Sequence, residues 1–121
     1  MVTDKVNQIY TDLMEYLESI YPNIKGSQKY ADKAPSYPYV YMYQIDGSTQ
    51  EVTLSNTEEA VNLAFQIEVY SNKGDTITRK ISTDIKNYMM TVEGFKCRTF
   101  LPAQNNGNIS RFVSRYDRLD V

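Results

Sequence analysis

Between Asn62 and Val92 the spacing of the apolar residues changes period. Leu63, Phe65, Ile67 and Val69 alternate with Ala64, Gln66, Glu68 and Tyr70, the period of two expected of a half-buried strand. After Ser71-Asn72-Lys73-Gly74, Ile77, Ile81, Ile85, Tyr88, Met89 and Val92 fall on one helical stripe, with Arg79, Lys80, Asp84 and Lys86 mostly outside it. The polar tetrapeptide turns the chain, Asp75 or Thr76 is placed to cap the helix, and Gly94 to end it in the left-handed conformation. Neither apolar face can stay in water, so the strand face is the natural cover for the helix.

The flanking segments repeat this alternation of types. Val6, Ile9, Leu13, Leu17 and Ile20 form a second helical stripe, with Thr3 as N-cap, Asp4 at the positive helix start and Pro22 as the stop. Lys25 to Pro35 is polar, contains Gly26 and reads as a loop. Tyr37 to Ile45 reads as a strand with Tyr39, Tyr41, Tyr43 and Ile45 on one face and Val40, Met42 and Gln44 on the other. With both faces large and partly apolar, it is either central or covered on each side. The polar stretch Gly47–Ala60 is a weak strand and loop, or an arm that orders on assembly. Phe95 to Ala103 is a strand whose Pro102 belongs at an edge or bulge. Asn105-Asn106-Gly107-Asn108 is a hairpin turn, and Ile109 to Asp117 the return strand. The expected fold is α+β: one domain spanning 1–121, a mostly antiparallel sheet of four to five strands, and two helices packed on one face.

Composition narrows the chemistry. The chain has no histidine, which removes histidine-based triads and every metal site that relies on imidazole. Its single cysteine, Cys97, excludes an internal disulfide framework. Lys96 and Arg98 flank that thiol, but alternation sends Cys97 to the opposite, inward side, where a buried thiol is inert. Glu58 and Glu59 are adjacent in a polar loop, with no fixed facing geometry for acid–base work. The glycines sit at turns and caps, and no phosphate-cradling motif occurs. A non-enzymatic role with no cofactor and no metal is expected; an enzyme would need a carboxylate- or tyrosine-based site that these residues do not reveal.

Contact surfaces are the more promising reading. The chain holds 11 tyrosines and no tryptophan, and Tyr37, Tyr39, Tyr41 and Tyr43 crowd into one strand. Tyrosine supplies large contact area with a polar tip, so this row divides between core and a face offered to a neighbour. The net charge of −2 is unevenly laid out. Asp4, Asp12, Glu15 and Glu18 make the first segment acidic, while Lys96, Arg98, Arg111, Arg115 and Arg118 make the last one basic. On the return strand, Phe112 and Tyr116 share one face, and Arg111, Val113 and Arg115 the other. That basic face is either solvated or paired with an acidic neighbour, such as Asp12, Glu15 or Glu18 of another copy. The overall balance of −2 argues against a dedicated DNA-binding domain, which would be strongly basic. No apolar run approaches the ~20 residues of a membrane span, and the amino terminus lacks a signal-peptide pattern, so a cytosolic origin is expected. Asn108-Ile109-Ser110 is accordingly read as a chance glycosylation sequon.

The order of these features resembles a known family. Pro38-Tyr39-Val40 opens one strand. Phe65-Gln66-Ile67-Glu68-Val69-Tyr70-Ser71 forms another, followed by a helix with Ile77, Ile81 and Ile85 and the Gly94-Phe95 exit, and Arg111-Phe112 to Arg115-Tyr116 closes the chain. This is similar to the tail terminator (tail completion, or tail-to-head joining) proteins of long-tailed bacteriophages and prophages, across nearly the whole length. The long polar stretch Gly47–Ala60 and the dense tyrosine strand depart from it. The resemblance implies a virion component, made in the host cytoplasm, that forms a ring, commonly a hexamer, capping the tail tube and meeting the head connector. Within it, Tyr39, Tyr41, Tyr43, Arg111, Arg115, Asp12, Glu15 and Glu18 are candidates for the contact between subunits. Gly47, Glu51, Glu58, Glu59, Asn105 and Asn106 are candidates for docking along the axis, on loops borne by a rigid sheet. Its partners would be further copies of itself, the tube protein and the connector, with neither membrane nor sequence-specific nucleic acid. A different class remains open: a small host-side module whose tyrosine row takes a peptide or small ligand.

Overall fold

The computed structural model describes residues 5–28, 34–45, 61–103 and 107–120. In chain order these form α1 (Lys5–Ile20), β1 (Lys25–Ser27), β2 (Tyr39–Gln44), β3 (Val61–Ser71), α2 (Asp75–Thr91), β4 (Lys96–Pro102) and β5 (Ser110–Asp120). The strands make a five-stranded sheet in the order β1-β2-β3-β5-β4. All neighbours are antiparallel except β1 and β2. β3 and β4 each run against β5 and therefore run alongside each other in direction, which requires a crossover. α2 supplies it, and β5 then inserts between them. The architecture is the expected α+β sheet with two helices.

Both helices cover the same face. Ile9, Leu13 and Leu17 of α1 and Ile81, Ile85 and Met89 of α2 pack on Val40, Met42, Leu63, Phe65, Ile67, Val69, Phe112 and Tyr116. Full burial of side chains of this size stabilises by about 1.5–3 kcal/mol each, before conformational entropy is set against it. The helices also grip each other. The rings of Tyr16 and Tyr88 stack with centroids 5.0 Å apart, and the Tyr21 hydroxyl donates to Asp84.

The structure corrects the reading of residues 25–35 as loop. Lys25, Gly26 and Ser27 pair in parallel with Tyr39, Val40 and Tyr41. So short and polar a strand has no hydrophobic alternation of its own; its neighbour β2 templates it. Gly26 belongs there for steric reasons, because a Cβ would lie 2.9 Å from Met14 Sδ and 2.9 Å from the Val40 carbonyl oxygen. With β1 outside it, β2 is an inner strand, and its two apolar faces pack into two separate clusters.

Element ends follow local chemistry with one exception. Gly94 has φ +74°, and the Phe95 amide donates 2.8 Å to the Met89 carbonyl, closing α2 as a left-handed glycine cap should. The cap position is not the expected Asp75 or Thr76 but Gly74, at φ 104°, with no side-chain cap bond; Asp75 lies in the first turn, where its charge suits the helix dipole. β4 is an edge strand, with a register irregularity between Cys97 and Thr99 and Pro102 at its end, both of which discourage further strand pairing. β5 runs three residues past the expected Asp117, because β3 pairs with it as far as Val61 against Asp120.

Candidate functional site

The face of the sheet turned away from the helices carries five of the eight candidate residues that the structure describes. Side chains alternate along a strand, so burying Phe65, Ile67 and Val69 under the helices sends Gln66, Glu68 and Tyr70 to the opposite side. The pairing register then sets what they meet. Tyr39, Tyr41 and Tyr43 lie opposite Tyr70, Glu68 and Gln66 on one side of β3. On the other side, Arg111, Val113 and Arg115 lie opposite the same three residues.

Glu68 is the hub of this face. Its side chain is only 1% exposed, and both carboxylate oxygens are occupied. Oε1 accepts from Arg111 Nε at 2.8 Å and from the Tyr70 hydroxyl at 2.8 Å. Oε2 accepts from Gln66 Nε2 at 2.6 Å and from the Tyr43 hydroxyl. Burial alone would raise the carboxyl's pKa, but these donors outweigh it and hold the group at about 2, well below its ordinary 4.5. Glu68 is therefore a fixed anion at any physiological pH. Such a group anchors side chains; it does not shuttle protons.

Two expectations are corrected here. Tyr41 is 1% exposed and Tyr39 8%, packed with Ala34 in a small second core, so they are buried within their own chain. Tyr41 meets Tyr70 edge-on at 5.5 Å and Tyr39 at 4.9 Å. Tyr43 is half-buried, with its hydroxyl committed to Glu68. A strand whose two faces are both apolar does not reveal which face is covered within the chain. Arg111, for its part, finds its carboxylate in its own chain rather than in a neighbour. Glu68 sits diagonally across the strand pair, a position that depends on register. The interruption of a long apolar strand by Gln66 and Glu68 was the available signal.

Arg115 is placed differently. It is exposed, its Nε donates 2.8 Å to the Gln66 amide oxygen, and among the described residues no carboxylate pairs with it. Its strand neighbours across the pair are Thr99 and, one step on, Leu101 beside Val113; Leu101 is 51% exposed. Asp12, Glu15 and Glu18 lie in the other layer, on α1. Glu15 and Glu18 are exposed, and Asp12 accepts from Gln8 at 2.9 Å. Gly47, Glu51, Glu58, Glu59, Asn105 and Asn106 fall outside the described residues.

Among the described residues, no group of three or more Cys, Asp or Glu side chains is arranged to hold a metal ion. Cys97 packs against the helical core, and burial raises its thiol pKa. Tyr88 is pushed up to about 12, by burial first and then by Glu93, Asp12 and Glu15. No helix there is long and apolar enough to cross a membrane.

No protein-family model matches the chain, and no curated protein matches it in sequence. Its fold is similar to that of a chain in the solved structure of the virion of a native gene transfer agent particle. The two share 10% identity with a TM-score of 0.57, over 86% of this chain and 84% of that one. At that identity the likeness is one of fold.

Proposed function

We propose that this protein is a non-enzymatic structural component of a phage or prophage virion, a tail terminator that assembles into a ring, closes the tail tube and meets the head connector. The observation that carries the reading is the extent of the fold likeness: 86% of this chain matches 84% of a chain of a virion particle. The sequence resemblance points independently to virion tail proteins. Rigid two-layer domains with a buried polar hub suit a part that must hold its shape while its loops and faces make contacts. The ligand-binding alternative loses its platform, since Tyr39 and Tyr41 are buried.

In this reading the segment Gly47–Ala60 and the tip around Asn105 and Asn106 reach along the axis to tube and connector. Negative-stain microscopy of concentrated protein tests it. Annuli of uniform diameter, or decoration of the ends of purified tail tubes, are the expected result. Protein that neither forms annuli nor binds tube ends would remove the reading.

A further inference from the structure

Among the described residues, the two layers of this domain leave charges of opposite sign without an ion-pair partner. On the open sheet face, Arg98 pairs with Asp117 at 2.9 Å and Arg111 with Glu68 at 2.8 Å, which leaves Arg115 without a carboxylate among the described residues. Around it lie the exposed Leu101 and the partly exposed Val113. On the helix layer, Glu15 and Glu18 are exposed, one turn apart on α1, and no cation among the described residues pairs with either. Val92, the cap position just after α2, is 65% exposed. Asp12 and Glu15 are near enough to Tyr88, one turn before Val92, to act on its hydroxyl. Each layer thus carries an apolar side chain next to unpaired charge, positive on one and negative on the other.

We propose that the open β4–β5 face around Arg115 seats on the α1 flank of a second copy of the chain, with Arg115 meeting Glu15 and with Leu101 and Val113 covered by the end of α2. This rests on the ring reading above and names its contact. The patches lie on opposite layers, so the contact is head to tail and cannot be satisfied by a two-fold dimer; repeated, it closes a ring or grows a filament. Arg111 is left out of the contact because its guanidinium already meets Glu68. The carboxylate is matched to guanidinium rather than ammonium because a two-point pair fixes register.

Sedimentation velocity over a concentration series tests the assignment with Arg115→Glu, Glu15→Arg and the two combined, and circular dichroism checks each fold. Glu15→Arg changes only an exposed helix surface, so it remains informative if Arg115→Glu fails to fold. Each single reversal is expected to raise the concentration needed for assembly about tenfold or more, and the combination to restore it to within about threefold of the parent. A parent that assembles while either folded single variant assembles equally well, or a folded combined variant no better than the singles, overturns the contact and leaves the ring reading standing. A parent that never assembles, even when concentrated, overturns both.

Discussion

Arg111 Nε lies 2.8 Å from Glu68 Oε1 across a diagonal of the β3–β5 pair, on the side of the sheet that the helices do not cover. This bond ties the middle of the sheet to its basic strand. It also commits the guanidinium of a candidate interface residue to a carboxylate of its own chain, with the Arg111 side chain still 34% exposed.

Removing Glu68 should therefore be costly. Glu68→Ala removes the carboxylate to which the Arg111 guanidinium and two tyrosine hydroxyls donate, and truncating one partner of a buried charge pair typically costs about 3–5 kcal/mol. Urea unfolding should show the loss. Glu68→Gln, which keeps the shape, should lose less. A loss under about 1 kcal/mol for Glu68→Ala would mean that the hub contributes little.

The same carboxylate sets an acid limit. Its folded pKa is depressed to about 2 from 4.5, so its contribution is fully present above the unfolded value. As pH falls from about 4.5 toward 2 the unfolded chain takes up a proton that the native chain refuses, and stability drops by up to about 2–3 kcal/mol. Denaturant midpoints measured at pH 5, 3.5 and 2.5 should fall in that order, and Glu68→Gln should flatten part of the slope.

Gly26 and Gly94 should fail on substitution for different reasons. At Gly26 an alanine Cβ would meet the Val40 carbonyl and Met14 Sδ at 2.9 Å. Backbone cannot give way as a methionine tip can, so Gly26→Ala should cost about 1–3 kcal/mol through overpacking. Combining it with Met14→Ala should not recover the parent midpoint, since the carbonyl remains.

At Gly94 nothing lies within 4 Å of the added Cβ, and only the φ of +74° resists it. Gly94→Ala should cost about 1 kcal/mol, and Gly94→Asn less, because asparagine tolerates the left-handed region. Thermal melts of the two variants in parallel distinguish strain from sterics.

The Cys97 thiol should react slowly. Burial raises its pKa, and the nearby charge of Lys86 only partly opposes this. Its rate with a disulfide reagent at pH 8 should be well below that of an unfolded control at the same pH. A rate equal to the control would place the thiol in open solvent.

Local rules determined much of this protein from its sequence. The helical stripe of Ile81 and Ile85, the alternation of Phe65, Ile67 and Val69, and the Gly94 stop could all be read directly, because each depends on neighbours within a few residues. The absence of histidine likewise narrowed the chemistry without a fold. Tertiary structure decided what depends on pairing between distant segments. β1 exists because β2 lies beside it, and Tyr41 is interior because a second small core forms on that face. Glu68 meets Arg111 and leaves Arg115 exposed because the β3–β5 register places them so. A one-residue slip in that register would exchange every one of these faces, and register is set by the closing of the whole sheet rather than by any segment within it.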